Sequence, residues 1–259
     1  MADRLPLSVL LLARDEVRDL EELIPSLAFA AEIVVVWDPR GDRAARETAE
    51  RLGARVFERA FDGFGPQRQF ALEHCTQDWV LWIDADERLT PGSVATLRTA
   101  CAPAPERALV LARRRTHFLG RRIRWCGWGD ESLPRLFGRR AARFDGATVH
   151  ERVLVEGATA TAPEGPFEIE HHSYRTLDDC VTKMLRYAPA NAEKAWGEGR
   201  RAGVLDLLLR PPLRFLRQYV LQLGVLDGAH GLVLCGFAAA QVFLKYAVLW
   251  DRTRREGRR

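Results

Sequence analysis

Asp84, Asp86 and Glu87 crowd three carboxyl groups into four residues at the end of the apolar run WVLWIDADERLTP. Carboxylates this close repel one another unless solvent screens them, arginines pair with them or a cation sits between them. Residues two apart in a strand point to the same face. At a strand end, Asp84 and Asp86 can therefore converge on one hard cation. Mg2+ or Mn2+ takes oxygen ligands and commonly shares its coordination sphere with substrate phosphates. The pattern points to a divalent cation held by Asp86 and Asp84, stabilising charge on a diphosphate. The competing reading is a turn before the helix at Pro91, capped by Asp86 or Thr90.

Such a site needs a strand to deliver it. The runs PLSVLLLA (Pro6 to Ala13), AEIVVVWD (Ala31 to Asp38), ARVFERAF (Ala54 to Phe61) and DWVLWIDAD all read as strands. Between them RDEVRDLEELIPSLA, DRAARETAERLGA and PQRQFALEHC carry helical spacing, with Gly53 as a helix stop. Strands alternating with helices predict βαβ units and a mostly parallel sheet. Ligands gather at the carboxyl ends of strands in such sheets, which is where Asp38 and the Asp84–Asp86 pair fall. From Ala108 onward β-like segments mix with aromatic and basic residues, and FEIEHHSY (Phe167 to Tyr174) reads as a further strand. LDDCVTKMLRYAPANAEKAW is helical, with a kink or interruption expected at Pro189.

Composition narrows the class. The chain has 259 residues with 47% apolar, enough for a sizeable core. Its net charge of +4 suits acidic partners such as nucleotide phosphates or anionic lipid heads. Lysine appears only at Lys183, Lys194 and Lys245, a bias that fits a GC-rich genome as well as phosphate binding. The five cysteines contain no CxxC pair, so neither a zinc ribbon nor a disulfide framework is indicated, and a reducing cytoplasm fits. The apolar stretch near the N-terminus is short for a signal peptide and reads as a first strand.

Taken together, SVLLLARDE, AEIVVVWDPRGDRA, GARVFERAFDGFGPQRQFAL, DWVLWIDADERLTP, RLFGRRAARFDGATVHERV and EIEHHSYRTLDD resemble, in order, a family 2 glycosyltransferase of the GT-A fold. Within it the chain is most similar to the lipopolysaccharide core β-glucosyltransferase subgroup, whose tail the C-terminal segment also resembles. The resemblance implies an α/β GT-A fold with a mostly parallel sheet, in a catalytic domain over 1–200 and a helical extension over 201–259. The nucleotide-binding half is expected over 1–107 and the acceptor half over 108–200. It implies inverting transfer from a nucleotide-diphosphate sugar, UDP by family default, to a lipopolysaccharide-type or lipid-linked acceptor, with Mg2+ or Mn2+. Carried over, Asp86 is the principal metal ligand and Asp84 a ligand or donor-ribose contact, with His171 a further contact to metal or diphosphate. Asp15, Asp38, Asp42 and Arg68 fall at donor-binding positions. Here the chain departs from the family: Trp37 stands where an aspartate is usual, one place before Asp38.

Inversion by direct displacement needs a general base for the acceptor hydroxyl. WGDESLPRLF offers Glu131, which aligns best, and the adjacent Asp130. Trp125 and Trp128 supply aromatic faces for an acceptor sugar and partial desolvation of the base, or else ordinary core packing. Arg135 is placed to hold the diphosphate or orient the base, although Leu133 and Pro134 stand where the family often has Leu and Gln. His150 and Glu151 read as loop support.

The last third carries two apolar segments, Leu213 to Leu226, which is amphipathic, and Gly231 to Leu244. A membrane span needs about 20 apolar residues, so both are short for one. With the flanking arginines and the tail RTRREGRR they predict a peripheral site on the inner face of the bacterial plasma membrane. The alternative is a helical subdomain or homo-oligomer interface. A sugar nucleotidyltransferase would want a glycine-rich phosphate loop that LLLARDEVRD lacks. A degenerate, non-enzymatic binder is raised by Trp37. A nucleic-acid module is raised by the arginines between Arg113 and Arg124, but a phosphate-rich acceptor explains the same patch and no nucleic-acid partner is expected.

Overall fold

The structure is a computed structural model describing residues 4–105, 108–147 and 151–256. The first half alternates as the apolar runs predict: β1 (Leu5–Ala13), α1 (Val17–Ser26), β2 (Ala30–Trp37), α2 (Arg43–Arg51), β3 (Arg55–Glu58), α3 (Phe64–His74) and β4 (Trp79–Trp82). Then follow β5 (Glu87–Leu89), α4 (Pro91–Ala100), β6 (Leu109–Phe118), β7 (Arg121–Arg122), β8 (Glu131–Gly138), β9 (Ala142–Phe144), β10 (Val153–Val155) and β11 (Glu168–Tyr174). The C-terminal helices are α5 (Leu177–Gly197), α6 (Val204–Leu216) and α7 (Gly228–Glu256).

The main sheet runs β3-β2-β1-β4-β8-β6-β11-β5, with β7 hairpinned onto β6. β1, β2, β3 and β4 are parallel, so their carboxyl ends open on one edge. β8 and β5 are antiparallel additions. β1 is buried almost throughout because helices cover both sheet faces. One apolar cluster packs Leu20, Leu23 and Ile24 of α1 and Ala45 and Ala49 of α2 on β1. The other sets Ala71 and Leu72 of α3 beside Leu10, Val80 and Trp82.

The chain gathers into two compact units, Met1–Arg114 with Glu131–His171, and Arg115–Asp130 with His172–Arg259. Residues 115–130 and 172–200 thus pack with the C-terminal helices. In the second unit Phe118, Ile123 and Cys126 close a core with Cys180, Leu234 and Cys235, and Ala192 and Ala195 of α5 meet Leu249 of α7.

Two C-terminal expectations are corrected. α5 runs unbroken through Pro189, whose exposed position leaves room for the ring. Within Leu213 to Leu226, α6 gives way to a π-helical turn at Arg217–Leu221 and a 3-10 turn at Gly224–Asp227. The second apolar segment is not short in structure. The helix spanning Gly224–Glu256 is long and apolar enough, by length and composition, to cross a bilayer.

Candidate active site

β4 delivers the acidic cluster. Past Trp82 the chain turns at Asp84, whose amide donates to Glu87 Oε2 (3.0 Å) while the Glu87 amide donates back to the Asp84 carbonyl (3.0 Å). β5 then pairs antiparallel with β11, setting His171 opposite Glu87. That register puts His171 Nε2 3.3 Å from Asp86 Oδ2.

Arginines from three distant elements neutralise the rest. Arg68 of α3 donates to Asp84 Oδ1 (2.9 Å) and to Glu151 Oε1 (2.6 Å). Arg135 of β8, fully buried, reaches Glu87 Oε1 (2.6 Å) and Asp84 Oδ2 (3.3 Å) with one Nη2. Arg114 of β6 bonds Glu131 Oε2 (2.6 Å) and lies 3.6 Å from Glu87 Oε1. The result is a ribbon of alternating charge: Glu151, Arg68, Asp84, Arg135, Glu87, Arg114, Glu131. Trp82 is the floor, with the Arg68 and Arg135 guanidinium carbons 4.3 and 4.4 Å from its ring centroid.

Burial works on the two inner acids in opposite ways. Burial pushes Asp84 up, but Arg68 and Arg135 more than offset it and hold the carboxyl well below the usual range. For Glu87, burial and then the neighbouring Asp84 charge outweigh Arg135 and raise it above an ordinary glutamate.

The loops at the first two strand ends are stitched together. Asp15 Oδ1 accepts the Asp42 amide (2.8 Å), and Asp42 caps α2 through the Ala44 amide (2.9 Å). Gly41 allows this closeness, since a Cβ there would sit 2.3 Å from the Arg14 carbonyl oxygen. Trp37 is buried, its indole N–H shared between the Arg14 and Asp42 carbonyls at 3.2 Å each. Asp38 is also buried, gripped bidentately by Arg40 at 2.9 and 2.8 Å. The Arg40 hydrogen bonds hold its carboxyl below the ordinary value.

Of the two base candidates, Glu131 opens β8 half-exposed, opposite Arg114 in register. Asp130 belongs to the second unit, where Arg122 clasps both its oxygens at 2.8 and 2.7 Å. Trp128 stacks on Tyr174 at 5.9 Å and joins the second unit's core, while Trp125 is 40% exposed. His150 lies outside the described residues.

Sequence reading overlooked three participants. Arg114 looked like one of a run of surface arginines. Glu151 looked like loop support, yet it anchors Arg68; its signal was the pairing of a lone acid with a basic position in distant motifs. Asp227 is buried in the second unit and accepts the Arg124 (3.2 Å) and Trp125 (2.9 Å) amides. Nothing local in VLDGAH marked it.

Among the described residues no group of three or more His, Cys, Asp or Glu side chains is arranged to hold a metal. The donor set nevertheless fits one whose sphere is completed by phosphate. Asp86 and His171 offer an oxygen and a nitrogen, and both Asp84 oxygens are engaged by arginine.

Comparison with known proteins gives the family. Residues 8–153 match the model of the family described as Glycosyl transferase family 2. The chain is 29% identical over 96% of its length, and of the relative's, to the lipopolysaccharide core biosynthesis glycosyltransferase LpsC of Rhizobium meliloti (strain 1021). It is 34% identical over 84 residues, 32% of this chain and 29% of the relative, to an uncharacterized glycosyltransferase of Rickettsia bellii (strain RML369-C). Among solved structures, that of S. aureus TarS 1-349 is 17% identical with a TM-score of 0.44, covering 97% of this chain and 91% of that one.

Proposed function

The chain belongs to glycosyl transferase family 2, and from that premise we propose that it moves a sugar from a nucleotide-diphosphate donor to a lipid-linked, lipopolysaccharide-core-type glycan by direct displacement with inversion. The observation that carries this is the division of labour in the DxD turn: Asp84 is locked by two arginines while Asp86 stands with His171 at 3.3 Å. Asp86 and His171 would hold the cation, Mg2+ or Mn2+, with diphosphate oxygens filling the remaining positions. Bound there, it would supply Lewis-acid stabilisation of the nucleotide leaving group.

The other residues position and deprotonate. Asp84 and Arg68 fix the turn that aims Asp86. Arg135 sets the register between that turn and β8. Glu131 is the general base: Arg114 holds Oε2, and Oε1, which carries no hydrogen bond among the described residues, takes the acceptor hydroxyl proton. The joined loops at Asp15 and Asp42 border the nucleoside side, with UDP as the donor base. LpsC supports the acceptor class. A peripheral membrane position is supported by α6, which leaves Leu205, Leu208, Leu209 and Leu213 at least half exposed beside Arg210 and Arg217.

The test is calorimetric binding of UDP, GDP and dTDP, each with Mn2+ and with EDTA, to wild type and Asp86→Ala. Metal-dependent binding of UDP, lost in the variant, is expected. One observation favours a second reading, a binding-only protein: Trp37 fills the usual aspartate position and Asp38 is tied to Arg40. No nucleotide binding under any condition would establish that reading and refute the first.

A further inference from the structure

The second unit holds a groove of its own, of about 340 Å3, whose walls set three kinds of recognition group on an apolar bed of Met184, Leu234 and Val242. Trp128, Tyr174 and Phe237 give flat aromatic surface, and Trp128 is stacked on Tyr174 with 30° between the planes. Gln241 brings a side-chain amide. Arg214 of α6 and Lys245 of α7 bring two cations, and neither forms an ion pair with the described residues.

Those cations stand out in a chain that pairs most of its charges. On α6 itself Arg210 is bound to Asp206. Lys245 sits partly buried near Arg200, Arg210 and Lys194, opposed by Glu198. Burial first, and then Arg200, push its ammonium below the ordinary lysine value. A cation held under those conditions, with Glu198 too far to form an ion pair, is stabilised by an anion supplied from outside.

The three wall types together select the ligand. A lipid chain uses the aliphatic and aromatic walls and leaves the amide and both cations unanswered; a free phosphate uses the cations and not the rings. A sugar ring uses all three: C–H faces against indole and phenol, hydroxyls on the amide, and an acidic substituent on the cations. The volume suits one or two rings at the lower end of ordinary ligand pockets.

We infer that this groove is a binding site for an anionic saccharide unit, a sugar carrying a phosphate or carboxylate, held by Arg214 and Lys245 against the Trp128–Tyr174 stack. Its role as the acceptor's anchoring unit rests on the proposed function; its existence as a site does not. The groove would choose acceptors by a charged sugar that is not itself glycosylated.

Ligand-observed NMR titration of the full chain tests this with glucose 6-phosphate, glucuronate, glucose and inorganic phosphate. The two acidic sugars are expected to bind at least about ten-fold more tightly than glucose or phosphate, about 1.4 kcal/mol. Lys245→Gln and Arg214→Gln should each weaken the acidic sugars by about ten-fold. Gln241→Ala, which leaves the charges in place, should weaken all three sugars and spare phosphate. Asp86→Ala should bind the acidic sugars as wild type does, so failure of the donor site is read separately. Equal affinity for phosphate and the acidic sugars would overturn the saccharide assignment. Undiminished acidic-sugar binding in both charge variants, or no binding by wild type, would overturn the site.

Discussion

Replacing Arg135 by methionine isolates the electrostatic logic of the DxD turn. The methionine retains much of the apolar stem over Trp82, so packing changes little. What disappears is the guanidinium bonded to Glu87 at 2.6 Å and Asp84 at 3.3 Å in a fully buried setting. Arg68 still serves Asp84, but Glu87 is left with Arg114 at 3.6 Å. Removing one partner of a buried pair costs about 3–5 kcal/mol, a large share of the roughly 5–15 kcal/mol that holds a domain folded. Urea titration followed by tryptophan fluorescence should show a loss of that size. Adding Glu87→Gln to Arg135→Met should recover about 1–3 kcal/mol by removing the stranded charge. The pH dependence has a definite sign. Asp84 is held below its ordinary 3.8, so its contribution is present above that value and lost as pH falls below it. Glu87 is raised above 4.5, so it opposes folding increasingly as pH rises through that value. The deficit of Arg135→Met should therefore shrink on acidification below about pH 4. A loss under about 1 kcal/mol at neutral pH, or no recovery with Glu87→Gln, would refute the reasoning.

Further substitutions separate the remaining roles. Glu131→Gln should lower kcat by about 100- to 10,000-fold while metal-dependent nucleotide binding is unchanged; an equal effect from Asp130→Asn in steady-state transfer assays would move the base to Asp130. His171→Gln should weaken Mn2+ affinity by about ten-fold or more, measured by Mn2+ relaxation with no nucleotide present, while urea stability stays within about 1 kcal/mol. Asp227→Ala removes a buried carboxylate that accepts the Arg124 and Trp125 amides and should cost about 1–3 kcal/mol in all, read as early loss of near-UV signal on heating.

Much of the scaffold was legible because it is local. β1, β2 and β4 are nearly continuous apolar runs, and strands buried on both faces must look that way. The helices between them follow from spacing and from stops such as Gly53, which takes the left-handed φ of +86°. The ribbon was illegible for the opposite reason. Arg68 meets Glu151 across 83 positions of sequence, and Arg135 meets Glu87 across 48. Single residues this far apart leave no periodic trace. The length of α7 was underestimated because the apolar window was counted without the polar turns that extend it to Glu256. Propensity gives a kink or an interruption at Pro189, yet the helix is not interrupted there: one lost hydrogen bond on an exposed face is a small penalty against the packing of Ala188, Ala192 and Ala195.

The distance-spanning ribbon also explains why the acids are there at all. Had charge neutralisation been the whole purpose, an apolar turn of similar volume would cost less than burying Glu87, Arg68 and Arg135 and half-burying Asp84 and Arg114, since buried ion pairs seldom repay their desolvation. The arrangement makes sense if it fixes geometry. Arg68 ties α3 to the turn, Arg135 ties β8, and Arg114 ties β6 and Glu131 to the same acid. The turn that carries Asp86 and the strand end that carries Glu131 thereby share one rigid lattice of charges. The proposed direct displacement would require that the leaving-group side and the base keep a fixed separation while a sugar passes between them. A hydrophobic core sets such separations by volume alone; alternating ions set them by bond length.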